Sequence, residues 1–321
     1  MPMRMMPAVV LLLNLAGAAF CQDRRISGPV LGYLFDHSAR AVRTIQGIPA
    51  AAALVEGPAF PVALRAAAMS PAAGLIFGVP AMDGALWMLR GHSPAAPVEG
   101  VTVDVEKLVL SPDGVAAAVF GAGRAQVLLR PDADLAVSPA FDLPSPAVAA
   151  ISDGGILLAG TAEGDLVAVS GARFRPIIAA GEPTAAAFLR GSRDAVVASP
   201  RQVWLLRDVG RADEWVPLAD ERDGVDRPRF VAPSGDGHRF FVVNQGGGLL
   251  ILSRDGAPAV RLECPCEPSA LERLDRDAVF RLTEASGDAP VWLLDAREAA
   301  PQFRFIPAYR PDPAAAAEEA K

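Results

Sequence analysis

Residues 151–171 read ISDGGILLAGTAEGDLVAVSG, and residues 110–130 read LSPDGVAAAVFGAGRAQVLLR. Both open on an apolar residue, a serine and an Asp-Gly turn. Both then give an apolar run, a polar or Gly-rich loop and a second apolar run. Working outward, the polar turn that follows an inner apolar stretch recurs at Ser70, Ser111, Ser152, Gly191, Ser234 and Asp275, with gaps of 41, 41, 39, 43 and 41 residues. After each turn comes a second run, as in LIFGV, AAAVF, ILLAG, AVVAS, FFVVN and VFRLT. A third follows (ALWML, QVLLR, LVAVS, QVWLL, LLILS, VWLLD), then a weaker fourth (PAFDL, RPIIA, WVPLA, AVRLE, FRFIP).

Runs of four to six residues have strand length and are too short for amphipathic helices. Asp-Gly pairs at 83–84, 113–114, 153–154, 236–237 and 255–256 supply residues that tolerate positive φ in tight turns. Four antiparallel strands per unit of about 40 residues is the signature of a β-propeller blade. One blade has two apolar faces and cannot cover both alone; stacking blades around an axis buries them. The fold expected is all-β, a β-propeller of seven blades with a reduced N-terminal blade. The alternative is six blades with a closing N-terminal hairpin. GPVLGYLFD and AVRTIQGIP are read as the third and fourth strands of the reduced blade, lacking its first two. The innermost runs (VALRAAAM, KLVL, AVAAI, TAAAF) favour small side chains, as strands crowded around a narrow axis require. Trp87, Trp204 and Trp292 fall at matching places in third runs and read as inter-blade packing.

The opening of each unit, LSPDG with its apolar second run and V-x-L-L third run, resembles the YVTN-type and WD-like propellers of secreted bacterial proteins. The likeness spans about Gly28 to Ile306 and is one of repeat pattern. The Trp-Asp pair of true WD repeats is missing. The resemblance implies a shape shared by scaffolds, lactonases and electron-transfer enzymes, and no particular chemistry.

The chain has 321 residues, 51% hydrophobic and 21% charged, with a net charge of −7. Arginines are scattered, and Lys107 and Lys321 are the only lysines. That balance argues against a nucleic-acid partner, which draws on concentrated basic charge. Residues 1–25 carry one early positive charge (Arg4), an apolar stretch, the small residues Ala16 to Ala19 and then polar Gln22 to Arg25. That is the order of a secretory signal, and it is too short and too interrupted by Pro7 and Asn14 to span a bilayer. The expected organisation is a signal peptide over 1–21, the propeller over 22–307 and a disordered tail over 308–321. The mature protein is expected in the periplasm or outside the cell, with no membrane span, as a monomer. Cys21 invites a lipid anchor, but Phe20 stands where a small residue belongs, which disfavours it.

Three histidines, His37, His92 and His238, lie in predicted turns without a second ligand at metal spacing. No catalytic residues and no metal set are assigned. VNQGGGLL is Gly-rich but lies between strands, so it reads as a hairpin loop and not as a phosphate site. ECPCEP holds Cys264 and Cys266, two residues apart. In an extended strand their Cα atoms would lie about 6.5–7 Å apart, beyond the usual disulfide distance of about 5.5 Å, so a bridge requires a kink at Pro265. A disulfide, a pair of free thiols and half of a soft-metal site are the three readings.

Acidic residues recur just before inner strands, at Asp104, Glu182, Asp226 and Glu267. In a propeller these connections open on one face. The four carboxylates would form a partial ring at the channel mouth, able to attract Ca²⁺ or an Arg- or Lys-bearing partner. The competing reading is that acidic-Pro pairs cap turns. Two functions follow: a non-catalytic scaffold binding a protein or glycan partner, with no cofactor, or a lactonase-like hydrolase using a divalent cation such as Ca²⁺ at that mouth. A subunit of a redox assembly is the third, and it would have to borrow its cofactor.

Overall fold

The computed structural model describes residues 28–70, 73–91, 93–130, 135–161, 163–171, 173–178, 181–274 and 278–310. These form seven separate antiparallel sheets in chain order, the blades of a β-propeller. Blade 1 is β1 (Val30–Asp36), β2 (Ala41–Ile48) and β3 (Ala51–Glu56). Blade 2 is β4 (Leu64–Ser70), β5 (Leu75–Pro80), β6 (Trp87–Arg90) and β7 (Ala96–Pro97). Blade 3 is β8 (Lys107–Leu110), β9 (Ala116–Gly121) and β10 (Arg124–Leu129), with an outer strand broken into β11 (Ala136–Val137) and β12 (Phe141–Asp142). Blade 4 is β13 (Ala149–Ile151), β14 (Leu157–Gly160), β15 (Leu166–Ser170) and β16 (Arg173–Ile177). Blade 5 is β17 (Ala185–Phe188), β18 (Ala195–Ser199), β19 (Gln202–Arg207) and β20 (Glu214–Asp220). Blade 6 is β21 (Pro228–Pro233), β22 (Arg239–Asn244), β23 (Gly248–Ser253) and β24 (Val260–Glu263). Blade 7 is β25 (Glu272–Arg273), β26 (Val279–Arg281), β27 (Val291–Asp295) and β28 (Gln302–Ile306).

Burial explains why the blades need one another. The buried apolar residues fall into seven clusters, and each draws on two adjacent blades. Strand alternation does the sorting. On β9, Ala116, Ala118 and Phe120 pack toward blade 4, while Ala117 and Val119 pack toward blade 2. Second strands buried on both faces read as unbroken apolar runs, which is what LIFGV, AAAVF and AVVAS are.

The recurring serine closes the turn from first to second strand. In blade 3 the Ser111 amide donates to the Ala116 carbonyl (2.9 Å), and Ser111 Oγ accepts from the Ala116 amide (3.0 Å). Ser152 Oγ accepts from the Ile156 amide (2.9 Å) and Ser234 Oγ from the Arg239 amide (2.9 Å). The glycine of the turn is equally constrained. Gly114 has φ +67°, and a Cβ there would collide with Ser70 of blade 2. Asp275, the sixth repeat anchor, lies outside the described residues.

Blade 1 corrects the sequence reading. GPVLGYLFD and AVRTIQGIP supply β1 and β2, and these are the second and third strands of their blade. The fourth is the Ala-rich AAALVE of β3. The start of β1, Val30 and Leu31, lies in the channel beside Ser70, Ser111 and Leu274, at the ends of the other blades' inner strands. Its end, Asp36, bridges to Ala285 in the β26–β27 loop. β1 therefore runs opposite to the inner strands, as a second strand does. Among the described residues blade 1 lacks its first strand. AAALVE carries no periodic signal because it has no polar alternation and its side chains are exposed or half-buried.

Among the described residues, blades 7 and 1 meet without a shared strand. Leu34 and Ile45 of blade 1 pack with Leu274, Val279, Val291, Leu293 and Ile306 of blade 7. The His37 amide donates to the Ala285 carbonyl (3.3 Å), and the Arg43 guanidinium lies 3.8 Å over the Tyr309 ring. The ring's contacts thus extend into the segment from 308 that the sequence assigns to a tail. The leader over 1–21 and residues 311–321 lie outside the described residues.

The tryptophans divide their packing. Trp292 packs on the cluster between blades 6 and 7 and meets Phe305 of its own blade at 5.7 Å. Trp204 meets Trp215, also of its own blade, edge to face at 6.1 Å.

Candidate functional site

Topology divides the connections between two faces. The lower face carries the turns from first to second and from third to fourth strands. The upper face carries the loops from second to third strands and the crossovers from each outer strand to the next blade's inner strand.

On the lower face the Asp-Gly turns are stitched across blades. The Asp113 amide of blade 3 donates to Asp153 Oδ1 (2.9 Å), and the Gly191 amide of blade 5 donates to Asp153 Oδ2 (2.8 Å). Arg190 of blade 5 pairs with the Asp113 carboxylate (2.5 Å), and Ser70 Oγ of blade 2 donates to the Asp113 carbonyl (3.1 Å). The sequence marked these aspartates as turn formers. Their bonds to neighbouring blades follow from the converging turns and carry no local signal.

The axial channel holds a cavity of about 520 Å³. Backbone and small or apolar side chains of the inner strands line it, with Glu272 and Arg273 of β25 as its charged residues. Glu272 pairs with Arg281 (2.7 Å), a guanidinium side chain only 3% exposed on β26. Arg281 also donates to Glu284 Oε2 (2.5 Å) and to the Thr283 carbonyl (3.0 Å). Burial alone would lower the Arg281 pKa. Glu272 and Glu284 outweigh that and hold it above the ordinary arginine value. Glu284 also faces His37 at 3.5 Å, so the network reaches the join between blades 7 and 1. The signal for it was an arginine inside the otherwise apolar run VFRLT.

All four carboxylates marked by the sequence lie in crossovers of the upper face, and all four are exposed. Asp104 pairs with Arg65 (3.4 Å) and Asp226 with the adjacent Arg227 (3.3 Å). The Asp226 amide donates to Asn244 Oδ1 (3.2 Å). Among the described residues, Glu182 and Glu267 meet no cation within salt-bridge distance. The four stand on crossovers leading into four different blades, and among the described residues no three His, Cys, Asp or Glu side chains gather as a metal site would require. They share a face without converging on a point. Lys107, at the head of β8, donates to the carbonyls of Pro146 (2.6 Å) and Ala147 (3.2 Å), and burial lowers its pKa.

Two residues that carry no site signal in the sequence stand out on the same face. Met82, in the β5–β6 loop, is 96% exposed, and Ile178, in the crossover after β16, is 87% exposed. They are the most exposed large apolar side chains among the described residues. Val62, in the crossover from β3 to β4, is a third at 41%. The local signal pointed the other way: Ile178 continues the apolar run RPIIA, Val62 lies within FPVAL and Met82 follows VPA, so each reads as the end or start of a buried strand.

Cys264 and Cys266 are joined by a disulfide in the crossover from β24 to β25, with Cα atoms 5.0 Å apart. That is shorter than an extended chain allows, because the backbone bends at Pro265. His37 and His238 lie in turns, and His92 lies outside the described residues.

No protein-family profile matches the chain, and no curated protein matches it. Solved structures do. Hsv2 of Kluyveromyces marxianus superposes with a TM-score of 0.55 at 12% identity, covering 89% of this chain and 98% of that one. A functionally unknown protein from Desulfotomaculum acetoxidans gives 0.56 at 12% identity, covering 88% and 99%. The chain is a seven-bladed β-propeller. PorZ, a surface component of the type-IX secretion system of Porphyromonas gingivalis, gives 0.59 at 11% identity, and there the match covers 89% of this chain and 39% of PorZ. At such identities the likeness carries the fold alone. No helix among the described residues is long and apolar enough to cross a membrane.

Proposed function

We propose that this propeller is a non-catalytic binding scaffold that works outside the cytoplasm and receives a protein partner on its upper face. The observation that carries the reading is the exposure of Met82 and Ile178 among loops that also bear Asp104, Glu182, Asp226 and Glu267. Burying one such side chain in an interface is worth about 1.5–3 kcal/mol. Dispersed carboxylates on a chain of net charge −7 favour a partner bearing Arg or Lys and speed its encounter. Aliphatic anchors with a polar surround are the make-up of a protein interface more than of a glycan site. Export is supported by the order of residues 1–25 and by the disulfide. The repeat likeness to YVTN-type secreted propellers points the same way.

The test is co-purification of the full chain from its own cell envelope. Met82→Asp with Ile178→Asp should abolish capture of a protein that the unaltered chain retains, and Glu182→Lys with Glu267→Lys should weaken it. Ile48→Asp, placed at the lower end of β2, should leave it intact. Equal capture by all variants would overturn the reading. A parallel thermal scan addresses the hydrolase alternative. Calcium and manganese should leave Tm unchanged; a rise of several degrees that Glu182→Ala with Glu267→Ala abolishes would favour a cation-dependent enzyme.

A further inference from the structure

Cys264 and Cys266 pack at the edge of the apolar cluster between blades 6 and 7, and a packing contact of that kind is open to two thiols as well as to a bridge; the covalent bond itself adds little constraint. It links residues two apart within a single crossover, so it ties no strand to another strand and no blade to another blade. The constraint a disulfide places on the unfolded chain grows with the loop it closes, and this loop is nearly as small as one can be. Around it, blade 7 is held by sheet pairing from β25 to β28 and by apolar clusters on both sides.

The bridge is also placed where another molecule can reach it. Glu263, Pro265 and Glu267 are exposed and the two cysteines half-buried, on the upper face. Beneath it the crossover is tethered to the channel's charged network. The amides of Ser269 and Ala270 donate to the Leu282 carbonyl (2.9 and 3.0 Å), and Ser269 Oγ accepts from the Glu284 amide (3.0 Å). Six residues beyond Cys266, Glu272 faces the channel and holds Arg281.

We propose that Cys264 and Cys266 form a thiol–disulfide exchange site for a dithiol protein, placed so that its redox state alters the order of the crossover that feeds β25. A thiolate of the partner attacks one sulfur of the bridge, forming a mixed disulfide and releasing the other cysteine as a thiolate. The partner's second thiolate then displaces the remaining cysteine. Two electrons and two protons pass to the pair, which becomes two thiols, and the partner leaves as a disulfide. Re-oxidation is the reverse exchange with a disulfide protein of the same class. This chemistry stands whether or not a protein docks on Met82 and Ile178.

The experiment exposes the native full chain to reduced dithiothreitol and, separately, to reduced thioredoxin, then alkylates and digests it with trypsin. The peptide Leu262–Arg273 carries both cysteines and excludes Cys21. Both cysteines should alkylate without denaturant under either reductant. Tm should fall by no more than about 3 °C, and hydrogen exchange should rise at 264–274 and 281–284 while blade 4 is unchanged. The Cys264→Ser, Cys266→Ser double variant should fold and reproduce the reduced exchange pattern. Alkylation only after denaturation, reaction with dithiothreitol but not thioredoxin, or unfolding of the reduced or double-serine protein would overturn the proposal. Unchanged exchange at 264–274 would do the same.

Discussion

The join between blades 7 and 1 is where the two ends of the described ring meet. Blade 1 has three described strands, among the described residues no strand is shared across the join, and the apolar contact there is made by Leu34 and Ile45 against blade 7. Leu34 is fully buried at its centre. Replacing it with alanine removes a transfer contribution and leaves a cavity, together about 3 kcal/mol. At roughly 2.1 cal/mol/K per residue, cooperative unfolding of about 280 residues has an entropy near 0.6 kcal/mol/K, so that loss lowers Tm by about 5 °C. A matched change, Leu158→Ala, empties an equally buried position between blades 4 and 5. Both variants should lose similar stability by calorimetry. They should differ in hydrogen exchange: Leu34→Ala should selectively speed exchange in β1–β3 and β25–β28, because the join opens before the ring melts. A loss below about 1 kcal/mol for Leu34→Ala, or the same exchange pattern in both variants, would refute the reasoning.

Three further outcomes follow from named contacts. Glu272→Gln with Glu284→Gln leaves the buried Arg281 without a counter-charge and should cost about 3 kcal/mol in denaturant titration, whereas Arg281→Met should cost clearly less. Removing the turn hydroxyl in Ser111→Ala should cost about 1 kcal/mol, and Gly114→Ala should cost more, since it adds a clash with Ser70 to a strained φ. Asp36, Asp236 and Asp295 all have lowered pKa values. For Asp36 burial opposes the shift and is outweighed by Ser38, the Ala39 amide and Arg43; Asp236 is held down chiefly by Ser234, and Asp295 chiefly by Arg297. Their contribution is therefore complete above the unfolded value of about 3.9 and is lost as pH falls through the lower folded values. Asp36→Asn should flatten the stability profile in that acid range, measured by melts from pH 5 to 2.

The fold was legible because burial writes itself into repeating patterns. A second strand covered on both faces must be apolar throughout, and the turn before it must contain residues such as Ser111, Asp113 and Gly114. Both demands are local, so both recur at fixed spacing. Blade 1 was misread by one strand because AAALVE lies half-exposed at the edge, where burial imposes no strict pattern. The site was legible only in part. Asp104, Glu182, Asp226 and Glu267 share a face because topology puts every crossover there, and that follows from the repeat. How they relate to one another depends on three-dimensional spacing. The network of Arg281, Glu272, Glu284 and His37 joins residues from two ends of the chain, so periodicity does not register it. Met82 and Ile178 matter through exposure, a property of the folded surface that sequence spacing does not encode.

The most direct test of the proposed role is a photo-crosslinking amino acid placed singly at positions 82, 178, 48 and 305 and irradiated in the intact envelope. One discrete protein adduct shared by positions 82 and 178 is expected, with none at the lower-face position 48 or at 305 on the outer strand of blade 7. Equal adducts at all four positions, or adducts confined to 48 or 305, would contradict it.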